Sequence, residues 1–235
     1  MPRDTLTPER IVQAAIELLD DEGLDGLNMR SLAKRLDSAA TAVYWHIKTK
    51  DELVRLAGDA IWYEIEQPDL DATDWRTAAT IQATGMHAML NRHPWLGQAF
   101  GSHLMHGPGQ ARHDDLSLAI YEKAGFTAAD ADRAAATVLT FVLGSALGPA
   151  AEVSLKRRLS KNGADAEQLM TDAMARATET AQQYPRLRER LGTPAASQYA
   201  AAPDSTFEFG FQSILDGFEA RLTGGGVGPS DPRTD

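Results

Sequence analysis

Residues 28–53, which read NMRSLAKRLDSAATAVYWHIKTKDEL, constrain the fold of this chain more than any other stretch. Their apolar positions mark two short helices separated by a tight turn, because each helix has one apolar face. The first helix, which Asn28 can cap, carries Leu32, Ala33 and Leu36, and the second carries Val43 and Ile47. The stretch therefore predicts a helix-turn-helix.

The same stretch is basic, although the whole chain carries a formal net charge of -10. Between residues 28 and 50 the only acidic residue is Asp37, whereas the basic residues are Arg30, Lys34, Arg35, Lys48 and Lys50. The outward or flanking positions of the second helix hold Thr41, Tyr44, Trp45 and His46. A basic island in an acidic protein favours binding to a polyanion such as DNA. Composition alone leaves open the alternative that the charges form a solvated face and the aromatic residues belong to the core.

Short motifs at both ends of the chain carry a resemblance to a known family. They are LAKRL at residues 32–36, VYWHIKTK at 43–50 with Glu52-Leu53 after it, FEFG at 207–210 and LDG at 215–217. In these motifs the chain resembles the tetracycline-repressor (TetR) family of bacterial transcriptional regulators. The last two are similar to the final helix of the tetracycline-repressor subgroup. Residues 67–200 resemble the family in helix pattern only.

The resemblance implies an all-α fold, with an N-terminal three-helix helix-turn-helix domain and a C-terminal helical ligand-binding and dimerisation domain. It also implies binding to double-stranded operator DNA through Arg30, Ala39, Ala40, Thr41, Tyr44, Trp45, His46, Lys48 and Lys50. Within this set, Tyr44, His46 and Lys50 would contact phosphates, and Arg30 a phosphate or a base. Asp37 replaces the usual turn glycine, and residues 38–42 are small. Base reading is then limited to apolar contact with thymine methyls from Ala40 or Thr41 and to Arg30 on guanine.

Composition sets the broad class of the protein. The 235 residues, of which 43% are hydrophobic, suffice for a buried core, and the absence of cysteine excludes disulfides and thiolate metal sites. Neither an apolar signal segment at the start nor an 18-residue apolar run is recognised, so we expect no membrane span and a bacterial cytoplasmic location, at the nucleoid when bound to DNA. We expect a helix-turn-helix domain over residues 1–49, a helical ligand-binding and dimerisation domain over 50–222, and a disordered tail over 223–235.

Capping residues and breakers predict the helix bounds. Helix starts are indicated by Thr7-Pro8, by a Thr49/Glu52 capping box, by Asp74 and by Thr127, and stops by Gly23 and Gly125. The predicted segments are a first helix from residue 7, a rod of roughly 25 Å from residue 50 to just before Pro68, and helices at 75–92, 94–100, 116–124, 127–159, 169–183 and 205–222. Pro149 predicts a kink near residue 145, and residues 192–205 are expected to form a loop.

The helices of the second half carry the candidate ligand and dimer residues. A Met-rich face with one glutamine is consistent with ordinary core and also with an adaptable pocket. The candidate ligand residues are Trp62, Gln82, Met86, Met89, His103 and Phe141. The candidate dimer residues, on the two helices at 127–159 and 205–222, are Val142, Phe207, Phe211, Ile214 and Phe218. A small-molecule inducer is expected to favour one spacing of the two reading heads of the dimer.

An enzyme or a metalloprotein finds little support among the six histidines. His103 and His106, with His113 and Asp114 nearby, lack His-Glu-x-x-His spacing, and no Gly-x-Ser-x-Gly elbow occurs. Tetracycline repressors hold a magnesium-chelated drug with a histidine from about this region, but the motifs do not align His103 or His106 with it. We therefore expect a regulator with no catalytic residue, no metal site and no cofactor other than an inducer. The alternative is a helical small-molecule-binding protein or enzyme whose N-terminal bundle is structural.

Overall fold

The computed structural model describes residues 6–161, 165–193 and 203–224. Within these ranges it contains helices and no strand, which confirms the all-α prediction. The helices are α1 (Pro8–Gly26), α2 (Met29–Arg35), α3 (Ala40–His46), α4 (Lys50–Ile61), α5 (Trp75–Arg92), α6 (Trp95–Ser102), α7 (Pro108–Ala124), α8 (Ala128–Lys161), α9 (Ala166–Ala181), α10 (Pro185–Leu191) and α11 (Pro203–Thr223).

Side-chain caps begin the helices where the sequence predicted them. The Thr7 hydroxyl accepts from the Arg10 amide at 3.3 Å, and the Asn28 amide oxygen accepts from the amides of Arg30 and Ser31. Asp74 likewise accepts from the Thr77 amide at 3.0 Å. These bonds satisfy N–H groups that the first turn of a helix leaves without partners.

The Thr49/Glu52 capping box differs in one bond. The Thr49 hydroxyl accepts from the Glu52 amide at 3.0 Å, as predicted. The Glu52 carboxylate reaches past Thr49 and accepts from the Lys48 amide, also at 3.0 Å. The chain is therefore fixed one residue before the helix cap, at the exit of α3.

A three-helix head and a larger helical body share one continuous core. In the head, α1 packs on α2 and α4, and α2 packs on α3. In the body, α8 is the central helix and packs on α5, α7, α11 and α6. The head contacts the body through α1 on α6, and α4, which links the head to the body, packs on α6 and α7. The core cluster runs without interruption from Ile11 in the head to Leu215 in α11.

The rod predicted after the head is shorter than expected. α4 ends at Ile61 and continues as a single 3-10 turn, Trp62–Glu64, after which Ile65 is extended. Twelve residues span about 18 Å at 1.5 Å per residue, rather than the predicted 25 Å. The prediction failed because the apolar pattern continues through Trp62 and Ile65, which are buried outside an α-helix.

Other bounds also differ from the predictions. α7 begins at Pro108, eight residues before the predicted start, because Pro108 occupies the first helical turn instead of breaking a helix. α10 was not predicted, and α11 begins at Pro203 rather than at residue 205. α8 continues as one helix through Pro149 to Lys161. Gly125 ends α7 with φ 103°, as predicted. Gly23 was predicted to end α1, but it only interrupts the helix, with φ 71°, and α1 continues to Gly26. Most of the predicted loop at 192–205 and residues 225–235 of the predicted tail lie outside the described residues.

The sequence analysis expected no apolar run long enough to cross a membrane, but α8 contains one. Its residues Ala128–Ser160 contain an 18-residue window with mean hydropathy 1.6, of which 28% is buried. By length and composition this helix could cross a membrane, although the core helix of a soluble protein meets the same criterion. One side of α8 packs in the body, at Val142 and Ala146, while Leu147 on another side is exposed.

Candidate DNA-binding surface and ligand cavity

α3 presents two aromatic side chains to solvent at the tip of the head. Trp45 is 78% exposed and Tyr44 47% exposed, although both are large and apolar. Arg30, Ala39, Thr41 and Lys48 are also exposed, whereas Ala40, His46 and Lys50 are partly buried. All nine candidate DNA residues therefore have at least part of their surface accessible on the head. The core alternative for Tyr44 and Trp45 does not fit this exposure.

The turn between α2 and α3 requires a left-handed residue, which Asp37 supplies with φ 47°. The Ser38 amide donates to the Ala33 carbonyl at 2.9 Å, and the Asp37 amide donates to the Lys34 carbonyl at 3.2 Å. These bonds close the end of α2 in the manner that a glycine usually permits. Asp37, which stands in place of the usual turn glycine, is thus a residue under backbone strain.

The basic residues of the head divide into two groups. Lys48 donates to the carbonyls of Tyr44 and Trp45 at 2.9 Å and lies 5.6 Å from the Trp45 ring centre, so it caps the C-terminus of α3. Lys50 donates to the Leu24 carbonyl at 2.6 Å, and Arg35 pairs with Glu17 and Asp21. By contrast, the guanidinium of Arg30 and the amine of Lys34 have no hydrogen bond or ion pair among the described residues. Arg30 and Lys34 are therefore the cations most available to an external phosphate.

A cavity of about 210 Å³ lies between α5, α7 and α8. Its walls are formed by Gln82, Ala83, Met86, His113, Asp114, Ser117, Leu118, Tyr121, Asp132, Ala135, Ala136, Val138 and Leu139. Two of the candidate ligand residues, Gln82 and Met86, line it. The other four lie elsewhere, so the structure does not bring the six together.

Those four residues have packing partners of their own. Trp62 is buried, with its ring centre 4.7 Å from that of His113. Met89 is buried in the core. The His103 ring lies 3.4 Å from the Asp51 carboxylate, beside α4. Phe141 stacks on Phe207 at 5.7 Å between α8 and α11.

The sequence analysis missed the α7 wall of the cavity. His113, Ser117 and Tyr121 recur every four residues along α7 and lie on one face. That repeat could have been recognised had α7 been predicted to start at Pro108. The Gln82 side chain donates to the His113 carbonyl at 2.9 Å and accepts from the Ser117 hydroxyl at 3.0 Å, so it ties α5 to α7.

Tyr121 forms the most buried polar part of the wall, with 2% of its surface exposed. Its ring packs edge-on against Phe126 and Phe218. Burial raises the pKa of the Tyr121 hydroxyl, which therefore stays protonated. Among the described residues no group hydrogen-bonds to this hydroxyl.

The candidate dimer residues are largely turned inward. Val142, Phe207 and Phe211 are buried within the single chain, and Ile214 and Phe218 are partly buried. The outward face of α11 carries Phe209, which is 77% exposed, and α8 carries exposed Leu147. Beside them, Gly144, Gly148 and Gly217 have no atoms within 4 Å of an added Cβ. α8 and α11 thus each carry an exposed large apolar side chain and glycines with open space beside them.

Within the described residues, no group of three or more histidine or carboxylate side chains could hold a metal ion.

Two family models match the chain over most of its length. One, described as bacterial regulatory proteins of the tetR family, matches residues 11–57, and the other, described as the tetracyclin repressor-like C-terminal domain, matches residues 67–222.

The chain belongs to the TetR family. An HTH-type transcriptional regulator of Saccharopolyspora erythraea is 37% identical over 140 residues, which cover 60% of this chain and 59% of that protein. The HTH-type transcriptional repressor DrrR1 of Streptomyces coeruleorubidus is 30% identical over 93% of this chain and 79% of the repressor. Among solved structures, the TetR family protein ActR of Streptomyces coelicolor in complex with actinorhodin superimposes with a TM-score of 0.71 and 26% identity, covering 93% of this chain and 97% of ActR.

Family membership explains the arrangement of the two halves. The first match covers the head up to the middle of α4, and the second covers the cavity together with α8 and α11. Because the apolar window of α8 falls inside the C-terminal match, we interpret α8 as the core helix of this TetR-family body rather than as a membrane span.

Proposed function

We propose that this protein is a ligand-responsive transcriptional repressor, which binds operator DNA as a homodimer and is released by a small-molecule inducer. The observation that carries the proposal is the solvent-exposed Tyr44–Trp45 pair on a helix-turn-helix, which is joined to a body with a cavity. The curated relatives are named as regulators and repressors, which supports regulation over catalysis. Such a protein acts in the bacterial cytoplasm, at the nucleoid when bound to DNA.

On the head, we assign phosphate contacts to Arg30, Lys34, Tyr44 and His46. Arg30 and Lys34 are exposed and unpaired, so they can replace counterions on DNA. Lys48 and Lys50 instead stabilise the structure of the head. The Lys48 amine donates to a carbonyl at the end of α3, and the Lys50 amine donates to the Leu24 carbonyl after the break in α1. Base reading falls to the small residues that begin α3, through apolar contact with thymine methyls.

For the dimer, the exposed faces of α8 and α11 are the proposed interface. Phe209 and Leu147 are large apolar side chains left exposed by the single chain, and nearby glycines allow another helix to approach closely. Two recognition helices can enter successive major grooves only if their centres lie about 34–36 Å apart. A ligand that prefers a dimer with a different spacing would release the DNA in proportion to its differential affinity.

For the ligand, the cavity between α5, α7 and α8 is the proposed site. Actinorhodin bound to ActR is an example of a small molecule in a related protein. The proposed route to the head is short: α7 carries one cavity wall, and its N-terminal end contacts Asp59 of α4.

DNA binding is tested by fluorescence anisotropy with the DNA immediately upstream of the protein's own gene, across a salt series. Arg30→Ala should weaken binding and lower the salt slope by about 1. The matched control is Lys123→Ala, at an exposed lysine at the far end of α7, and it should change neither value. Absence of a salt-sensitive specific complex would favour the alternative, a small-molecule-binding protein or enzyme with a structural head.

The dimer is tested by sedimentation. Phe209→Asp should give monomers, because it places a charge in an apolar interface without a partner. Leu104→Asp is the matched control, since Leu104 is even more exposed but lies in the connection before α7. A monomeric unmodified protein would contradict the proposal.

A further inference from the structure

The charge on the cavity wall has one sign. Two carboxylates, Asp114 and Asp132, lie among the described lining residues, together with one histidine, His113, and no lysine or arginine. The basic neighbours in sequence are held elsewhere. Arg112 lies over the Tyr63 ring at 4.7 Å, and Arg133 pairs with Asp130 at 2.7 Å. Two carboxylates face one histidine, whose ring lies 3.4 Å from Asp114, so the wall is negative.

The rest of the wall is aliphatic and adaptable. Met86 from α5, Leu118 from α7, and Val138 and Leu139 from α8 face the cavity. Unbranched methionine can adjust to ligands of different outline, and an apolar lining with a few polar groups is typical of small-molecule sites.

The polar groups that remain available to a ligand are few. Gln82 and Ser117 are bound to each other and to the His113 carbonyl, so their orientation is fixed by the protein. The Tyr121 residue is 2% exposed and lines the cavity, and its hydroxyl has no hydrogen-bond partner among the described residues. The hydroxyl oxygen keeps some accessible surface, so a ligand atom in the cavity can hydrogen-bond to it.

We infer that the cavity takes a small organic cation, with its apolar body against Met86 and Val138 and its positive group beside Asp114 and Asp132. A hydroxyl or carbonyl on the ligand completes the site by hydrogen bonding to Tyr121. This inference rests on the proposed function, since it names the chemical class of the inducer.

Binding to the DNA-free full chain is measured by NMR titration with three probes of similar outline. They are phenyltrimethylammonium, its neutral isostere tert-butylbenzene, and the anion benzenesulfonate. The cation should bind about three- to tenfold more tightly than the isostere, as one partly exposed ion pair would provide. The anion should bind most weakly. Equal or tighter binding of the anion would overturn the inference.

Variants then test whether Asp114 and Asp132 cause the preference for the cation. Asp132→Asn and Asp114→Asn should each remove most of the preference for the cation and leave the neutral isostere unaffected. Asp115→Asn is the matched control, because Asp115 is exposed on the same helix and outside the cavity wall. Tyr121→Phe should weaken only a hydroxylated analogue of the cation. If both aspartate variants kept the full preference, the inference would be wrong.

Operator binding without probe, measured on the same variants, separates this inference from the proposed function. Normal operator binding combined with no preference for the cation would overturn the ligand class alone. Loss of operator binding in the unmodified protein would overturn the proposed function. Each variant is compared with the unmodified protein by urea unfolding, so that a folding defect is recognised before binding is interpreted.

Discussion

The head meets the body at two junctions that are built differently. At the first, between α4 and α7, the Asp59 carboxylate accepts from the amides of Gly109 and Gln110 at 2.9 and 3.2 Å and caps the N-terminus of α7. A Cβ on Gly107 or Gly109 would overlap Asp59 itself. This junction therefore depends on close backbone approach.

At the second junction, a buried imidazole lies between two carboxylates. His93 is 2.8 Å from Asp20 of α1 and 3.1 Å from Glu64 of the 3-10 turn, and the Trp95 indole donates to the same Asp20 oxygen at 2.8 Å. The first junction is fixed by shape, whereas the second depends on a proton. Since α7 also lines the cavity, the first junction is suited to transmit a ligand's presence, and the second to set the angle of α1.

The largest effect is expected from His93→Phe, which removes the donor that both carboxylates share. The two carboxylates lose this shared partner and keep only Trp95 and Arg92, so the free energy of unfolding should fall by about 2–4 kcal/mol. The loss is smaller than for a fully buried pair because Asp20 and Glu64 are about one-third exposed. Urea unfolding measures this loss. The control His103→Phe should cost much less, since the Asp51 carboxylate beside His103 is almost fully exposed.

The same variant carries a pH dependence whose sign follows from the pKa of His93. Burial lowers this pKa, but hydrogen bonds to Asp20 and Glu64 and their charges outweigh burial, so the pKa is raised above its usual 6.5. Arg92, which pairs with Glu64, and Arg157, which binds the Asp20 carbonyl, are the cations nearby. His93 stabilises the fold fully at a pH below the pKa that it has in the unfolded chain. This stabilisation is lost as the pH rises through the pKa of His93 in the folded chain. The difference in free energy of unfolding between the unmodified protein and His93→Phe should therefore narrow from pH 6 to pH 8. A difference that stays constant with pH would contradict the raised pKa of His93.

Gly109→Ala tests the junction that depends on shape. The new methyl group would meet the Asp59 backbone oxygen, which cannot move without shifting α4, so we expect a loss of about 2 kcal/mol that does not vary with pH. Gly101→Ala in α6 is the control, because no atom lies within 4 Å of its added Cβ, and helix propensity should make it neutral or slightly stabilising. Equal effects at the two glycines would remove the distinction between the junctions.

Asp59→Ala should cost about 1 kcal/mol, the usual value of a lost helix cap. Asp59→Asn retains an acceptor oxygen and should recover most of that loss, which separates capping from charge. The measurement is again urea unfolding, with operator affinity followed in parallel. If Asp59→Asn were as unstable as Asp59→Ala, the charge of Asp59 rather than its two hydrogen bonds would hold α7.

The two junctions also differ in how far the sequence predicts them. Helix starts at Asn28, Thr49 and Asp74 follow from local capping, which depends on residues three positions away, and the structure confirms them. Asp59 capping α7 joins residues fifty positions apart, and His93 joins Asp20 across seventy-three. No local pattern encodes such pairs, so both junctions were missed.

The cavity shows the same limit. Gln82 and Met86 were predicted because they share one face of α5, whose bounds were correct. Tyr121 was missed because His113, which begins its four-residue repeat, lay before the predicted start of α7. Asp132 was missed because the side of α8 that faces the cavity depends on packing. Met89 and Phe141 have the same residue chemistry as wall residues but point into neighbouring packing, which periodicity alone does not distinguish.

The smallest effect is expected within the head, at a strained residue that belongs to neither junction. Asp37 holds φ 47°, a conformation that glycine adopts without a steric cost. Asp37→Gly should therefore raise the free energy of unfolding by about 0.5 kcal/mol, the relief being partly offset by the greater freedom of glycine in the unfolded chain. The control Asp25→Gly, at an exposed position in the last turn of α1, should destabilise by a similar amount. Because Asp37 contacts neither Asp59 nor His93, the variant should leave the pH dependence of stability unchanged. A changed pH profile would mean that the head and the second junction are energetically coupled, and the two would then have to be treated as one unit.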